Sequence, residues 1–266
     1  MKRILMLHRV LPKYDSDNYY FTRETAISWN RFVGLLDRIE EEGLQSFTIS
    51  ELEAQSNNSQ SIFITFDDGY ADNEAALNEM LRRKMKVTLF PVKQFVQEGN
   101  SPIDDMAFHL MSHKNVSQEL KFSLMTGRLK KLLRRLTMQR YRYLRSKWFG
   151  LEEDALPSGL FLTEQQLTDL SSNGVELGIH GSSHRVFTSL SSADLSKELS
   201  ESSKWLNSLG ITGKYSICFP HGAHTERLSS VCSDFGSFLL GVDSDPACDS
   251  VYRRTHIKEE QYDSTY

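Results

Sequence analysis

Two short segments hold the residue types that hydrolytic chemistry requires. Thr65-Phe66-Asp67-Asp68-Gly69-Tyr70 closes an apolar run that begins at Ser61, and His180-Gly181-Ser182-Ser183-His184 follows a second strand-like run. A carboxylate and two imidazoles are three hard or borderline ligands for a divalent ion, with a position left open for water. The neighbouring carboxylate then remains for proton transfer. Each segment alone has a plainer reading. Asp-Asp-Gly is an ordinary turn, because Asp and Gly are turn formers, and most His-x3-His pairs hold no metal. The combination is the informative feature.

Those residues need strand ends to position them. Short apolar runs at Ile4–Leu7, Ser61–Phe66, Val87–Phe90, Val175–Ile179, Tyr215–Phe219 and Phe238–Val242 alternate with amphipathic segments. That alternation predicts an α/β fold with a largely parallel sheet. Phe32, Leu35, Leu36 and Ile39 share one face of a helix over Trp29–Glu42, and Ala76, Leu77, Met80 and Leu81 share one over Asn73–Lys84, with Asp72 as its N-cap. A third helix runs over Ser192–Leu209, capped by Ser192, with Leu195, Leu199 and Leu206 on one face. Each chemical motif then falls just after a strand, where the loops of a (β/α) barrel converge.

One stretch breaks the rhythm. From Ser117 to Gly150 there is little turn punctuation, and leucines recur at helical spacing. Ten basic residues lie between Lys121 and Lys147, with no acidic residue between Glu119 and Glu152. The whole chain is formally −4, so the remainder without those ten positives is −14. A basic helical insertion over about 115–156, facing something anionic or merely solvated, is expected.

At 266 residues the chain fits one domain, 1–266, that carries this insertion. No apolar stretch approaches a membrane span. The start, Met1 to His8, lacks the longer apolar region and cleavage site of a signal peptide and reads as a first buried strand. Three cysteines, Cys218, Cys232 and Cys248, have no metal-type spacing, which suits a reduced, cytoplasmic chain.

The chain resembles the polysaccharide deacetylases of the NodB homology type (carbohydrate esterase family four). That family is marked by Thr-Phe-Asp-Asp-Gly, then His-Ser/Thr-x-x-His, then Pro-aromatic-Gly, in the order found here. The resemblance runs from Leu5-Met6-Leu7-His8-Arg9-Val10 to Arg254-Thr255-His256-Ile257. It implies a distorted barrel of about seven strands, (β/α)7, rather than the regular eight. It also implies roles: Asp67 as general base, and Asp68, His180 and His184 as ligands of a divalent metal. Zinc comes first by donor chemistry, with nickel, cobalt or iron also accommodated. Successive side chains of an extended segment diverge, so Asp67 and Asp68 need not compete for one ion.

Phe219-Pro220-His221-Gly222 corresponds to the Pro-aromatic-Gly segment. There a backbone N–H after the proline helps hold the oxyanion, so Pro220, His221 and Gly222 are expected against the substrate. His221 stands where Tyr or Phe is usual. Cys218 stands where many relatives have an arginine that orients the base, and Arg254 is the expected replacement. Arg254 and His256 are two apart and share a strand face. The family's late Leu-x-x-His acid has no counterpart here. His256, by position, and His8, at the end of the first strand, are the candidates to protonate the leaving amine. The expected activity is removal of an N-acetyl group from an amino sugar in surface-glycan assembly. A nucleotide-linked or lipid-linked sugar would be the substrate, with peripheral contact to the anionic inner face of the membrane and no nucleic-acid partner. An amidase or esterase on a non-sugar or O-acetyl substrate, or a glycan-binding pseudoenzyme, are the alternatives.

Overall fold

Among the described residues ten short strands carry the architecture: β1 (Arg3–Leu7), β2 (Arg9–Leu11), β3 (Ala26–Ser28), β4 (Gln45–Phe47), β5 (Ser61–Asp68), β6 (Thr88–Pro91), β7 (Glu176–Leu177), β8 (Tyr215–Cys218), β9 (Gly236–Leu240) and β10 (Thr255–His256). The computed structural model describes residues 3–112, 119, 122–123, 126–133, 136, 138–149, 159–242 and 250–260. Ser117, Arg134, Arg135, Gly150 and Cys248 therefore lie outside the described residues.

Among the described residues every pairing between these strands is parallel, and Tyr70 makes one isolated antiparallel bridge with Phe161. β10, β1, β5, β6 and β7 form one sheet in that order, with β4 beside the start of β5. β8 and β9 form another. Two parallel bridges join these sheets: Ile179, just past β7, pairs with Ile217, and Leu240 pairs with Tyr252, just before β10. Hydrogen bonding thus passes around a ring of seven parallel strands, with ladders between most neighbours and single bridges on either side of the β8–β9 pair. This is a distorted α/β barrel.

Period-two alternation decides what each strand residue does. Ile4, Phe63, Phe90, Cys218, Phe238 and Leu240 pack together inside the ring with Ile49 and Leu52. Their neighbours Leu5, Leu7, Ile62, Ile64, Phe66, Leu89, Ile217 and Leu239 face outward into the larger cluster. The outer helices cover that shell: Phe32, Leu35 and Leu36 from Trp29–Glu41, Leu77 and Met80 from Asn73–Arg82, Leu195 and Leu199 from Ser192–Ser208. Each such side chain removed from water contributes about 1.5–3 kcal/mol before entropy is counted. Gly178 is required where it stands, since a Cβ there would lie 2.3 Å from the Phe90 ring.

Three local expectations are corrected. Asp72 occupies the N-cap position but makes no capping bond. Its carboxylate instead takes Arg9 (2.9 and 2.6 Å) and the Val10 N–H (3.2 Å). Ser191, not Ser192, caps the long helix, accepting from the Asp194 N–H. The segments β2, β3 and β4 are strands that hydropathy does not single out, because three residues carry no readable period.

The basic stretch folds as short helices, Arg128–Leu133 and Met138–Phe149, behind a further helix, Pro102–Ser112. It is not only a solvated face. Leu133 and Tyr141 are buried with Tyr19, Met106 and Ala107. Arg145 pairs with buried Asp105 at 2.9 Å, Arg142 pairs with Glu98, and the Tyr141 hydroxyl donates to Asp105 at 2.5 Å. Arg128, Lys131, Arg140 and Lys147 remain exposed. Among the described residues no helix is long and apolar enough to cross a membrane.

Candidate metal and catalytic site

β5 is buried along its whole length. Asp67 continues the inward line of Phe63 and Thr65, and the Thr65 hydroxyl donates to the Leu5 carbonyl at 2.7 Å. At Asp68 the backbone turns to φ +70°, followed by Gly69 at +81°, which ends the alternation and separates the two carboxylates. Antiparallel bonds secure the exit: Ala71 N–H donates to the Leu160 carbonyl and Leu162 N–H to the Gly69 carbonyl, both 2.9 Å. A Cβ on Gly69 would meet Pro91 at 3.0 Å. Among the described residues five non-glycines have positive φ, and Asp68, His184 and His221 are three of them. Such conformations cost on the order of 1–3 kcal/mol each and persist where surrounding structure enforces them.

His180 and His184 lie on the loop after β7. Their ligand atoms and those of Asp68 all fall within 4.8 Å of one another. His180 Nε2 and His184 Nε2 face Asp68 Oδ1 at 3.5 and 3.2 Å. That buried oxygen accepts no hydrogen bond from the described residues, which is the environment a cation would relieve. His180 Nδ1 lies 3.0 Å from the Cys218 carbonyl; donating there leaves Nε2 to ligate. The residues fit a divalent ion. Asp67, His180 and Cys218 form a second close set, but Arg254 Nη2 lies 2.8 Å from Cys218 Sγ and would oppose a cation there.

The histidine loop has a support that the sequence reading missed. Glu198, buried on the helix Ser192–Ser208, accepts from Ser182 N–H (2.9 Å), Ser182 Oγ (2.9 Å) and Ser183 N–H (3.0 Å) on one oxygen, and from Ser183 Oγ (2.5 Å) on the other. Both serines sit between the two histidines. An acidic residue among Leu195, Leu199, Trp205 and Leu206 on the buried side of the helix was the available signal.

Arg254, 1% exposed, forks onto Asp67 through Nη1–Oδ1 (2.7 Å) and Nη2–Oδ2 (2.8 Å). Its other donors reach Thr65 Oγ1 (3.0 Å) and the Gly241 carbonyl (3.1 Å). Burial works to raise the Asp67 carboxyl, but Arg254, and after it His180, outweigh burial and hold it well below the usual carboxylate range. Asp67 is therefore an anion whose orientation is fixed. The small Cys218 side chain lies beside both groups, with Sγ 3.5 Å from Asp67 Oδ2.

A cavity of about 280 Å³ opens over these groups. Its walls include Asp67, Asp68, His180, His184, His221, Gly222, Arg254 and His8, and also Tyr19, Tyr20, Tyr70, Asp104 and Lys130 from elsewhere in the chain. Pro220 is buried behind His221, which has φ +63° and sets its ring 4.6 Å from that of His184. His8 lines the cavity, and its Nδ1 has no hydrogen-bond partner among the described residues. His256 packs edge-on behind His8, ring centroids 5.1 Å apart. Burial, then His8 and Lys258, push the His256 imidazole down to about 3, so it is neutral near pH 7.

Residues 54–237 match the family model described as polysaccharide deacetylase. The fold is similar to that of a Streptococcus pyogenes deacetylase, PplD, solved in complex with acetate (15% identity, 97% of this chain and 93% of that one, TM-score 0.66). It is also similar to a de-N-acetylase from Aggregatibacter actinomycetemcomitans (15%, 99% and 97%, 0.66) and to IcaB from Ammonifex degensii (16%, 96% and 91%, 0.63). No curated protein matches.

Proposed function

The chain belongs to the polysaccharide deacetylase family, and from that premise we propose that it is a metal-dependent hydrolase that removes the N-acetyl group from an amino sugar in a glycan or glycan precursor. One observation carries this reading: the Asp68, His180 and His184 ligand atoms converge beside Asp67, a carboxylate kept ionised by Arg254. Two imidazoles and a carboxylate suit zinc, and nickel, cobalt or iron are accommodated by the same donors. When bound, such an ion supplies Lewis acidity to the attacking water and to the amide carbonyl.

The chain's own residues do the rest. Asp67 takes the proton of the attacking water. A carboxylate held this low is a weak base, so its task is orientation and capture of a proton already made labile. Arg254 fixes the geometry of that carboxylate and keeps it charged. The His221 N–H, presented by the turn after Pro220, donates to the oxygen that gains charge during attack, and Gly222 permits the turn. His8, rather than His256, protonates the departing nitrogen, because His8 faces the cavity while His256 is a neutral ring behind it. A nucleotide-linked or lipid-linked substrate, and contact with an anionic membrane, find support in Lys130 at the cavity wall and in exposed Arg128, Lys131 and Arg140.

The test is acetate release from a panel of free, nucleotide-linked and lipid-linked N-acetyl sugars, with and without chelator. Release that chelator abolishes and zinc restores is expected. Release indifferent to chelator would remove the metal from the reading. Release from O-acetyl but not N-acetyl sugars would make the protein an esterase.

A further inference from the structure

A second part of the cavity wall is built around one carboxylate. Asp104, 4% exposed, opens the helix Pro102–Ser112 and lines the cavity. Its Oδ1 accepts from the Tyr20 hydroxyl at 2.7 Å and the Tyr70 hydroxyl at 3.1 Å, and Ser101 Oγ donates to Oδ2. Tyr20 and Tyr70 both line the same cavity. Arg9, held by Asp72, lies over the two rings, 4.0 and 4.8 Å from their centroids, and fixes the phenols in place.

The direction of these bonds has a chemical consequence. A phenol has one hydrogen, and both phenols direct theirs at Asp104. Towards the cavity they present lone pairs alone; burial raises the Asp104 carboxyl against the hydrogen bonds of Ser101 and Tyr20, and as a carboxylate it too only accepts. Burial, then the charge of Asp104, holds the Tyr20 phenol well above its usual range, so its hydrogen stays. A surface of this kind bonds to donors and rejects a group that can only accept, since its own oxygens would then be desolvated without a partner.

We propose that Tyr20, Tyr70 and Asp104 form an acceptor-only subsite that reads a free hydroxyl of the sugar ring carrying the acetamido group. The inference rests on the reading of the metal site as a sugar deacetylase. It names what that site selects: an amino sugar with an unsubstituted hydroxyl beside the reacting group, not one alkylated or acylated there.

The experiment measures binding of methyl N-acetylglucosaminide and its 3-, 4- and 6-O-methyl ethers to the zinc-loaded full chain by calorimetry, beside acetate release from the same sugars. In the wild type one ether should bind about three- to ten-fold more weakly than the parent, the loss of one hydrogen bond. Tyr20→Phe should weaken the parent by a similar factor and abolish the difference between parent and ether, with zinc content unchanged. Asp104→Ala, which removes the oxygen to which both phenols donate and frees their hydrogens, should narrow that difference. Equal binding of all the ethers and the parent by the wild type, or an undiminished difference in both variants, overturns the subsite. Discrimination that Tyr20→Phe removes, in a protein that releases no acetate, keeps the subsite and overturns the hydrolase reading instead.

Discussion

The two walls of the cavity are built differently. On one side Asp67, Asp68, His8 and Arg254 project from strands or strand ends of the barrel, each strand tied to its neighbours by backbone bonds. Arg254 alone makes hydrogen bonds to Asp67, Thr65, Cys218 and Gly241. On the other side Tyr19 and Tyr20 come from a four-residue helix, and Asp104 and Lys130 from helices that join the barrel through a small separate cluster. Chemistry needs atoms fixed to a fraction of an ångström, and the barrel supplies that. Recognition needs a surface that can differ between relatives, and an insertion supplies that without disturbing the strands.

The comparison breaks most readily at Asp67. Asp67→Asn should lower kcat by about 10²–10⁴-fold, because a positioned base contributes that much, while metal content stays at the wild-type level. His184→Ala should lose both activity and metal. Elemental analysis of protein purified without chelator, beside initial rates, separates the two. Equal metal content in wild type and His184→Ala would dissolve the metal centre altogether.

Arg254 tests whether the strand wall is also a structural unit. Removing one partner of a buried pair leaves the other charge uncompensated, a loss of about 3–5 kcal/mol. Arg254→Met should lower the midpoint of urea unfolding accordingly, and Asp67→Asn with Arg254→Met should recover part of that loss. Independent, additive effects would show that the two residues do not act as a pair.

A smaller effect is expected one layer out. Glu198→Gln keeps the volume but removes the charge and replaces the oxygen that accepts from the Ser183 hydroxyl with a donor. Partners of this outer kind typically alter metal affinity by about 10- to 100-fold. Zinc affinity, read by competition with a chelator, should fall within that span, while kcat at saturating zinc changes little. A fall in kcat with unchanged zinc affinity would place Glu198 in another role.

How much of this was legible in the residues follows the same division. The strand wall announces itself: the Ser61–Phe66 run, Asp67-Asp68-Gly69 and His180-x3-His184 are local patterns, and each falls where barrel geometry places strand ends. Arg254 was reachable as the cation needed once Cys218 replaced an arginine. The other wall has no such pattern beyond Tyr70, which closes the Thr65–Tyr70 motif. Tyr20, Tyr70 and Asp104 are brought together across 84 and 34 residues of sequence, and nothing near any of them signals the others. Glu198 belongs with these, since its serine partners are 15 and 16 residues away. The basic stretch was visible as charge, but the burial of Leu133, Tyr141 and Arg145 was not, because it depends on Tyr19, Asp105, Met106 and Ala107 elsewhere in the chain.

The mildest test addresses the cations that this packing leaves outside. Lys130 lines the cavity with its ammonium 5.2 Å from the Tyr19 ring, and Lys131 beside it is exposed. Neither touches the metal ligands, so neutralising both should leave kcat on a small uncharged N-acetyl sugar unchanged. Solvent-accessible charges contribute about 0.2–1 kcal/mol each to a partner at contact distance. For an anionic sugar, such as a nucleotide-linked one, Lys130→Ala with Lys131→Ala should therefore raise KM about two- to thirty-fold. That difference should shrink as ionic strength rises, because a Debye length of about 8 Å at physiological salt already screens exposed pairs. Parallel initial-rate measurements on charged and uncharged substrates, at low and high salt, give the answer. A KM that rises equally for both substrates, with no salt dependence, would mean that the insertion wall acts by shape alone. The comparison would then stand on the hydroxyl-reading subsite and not on charge.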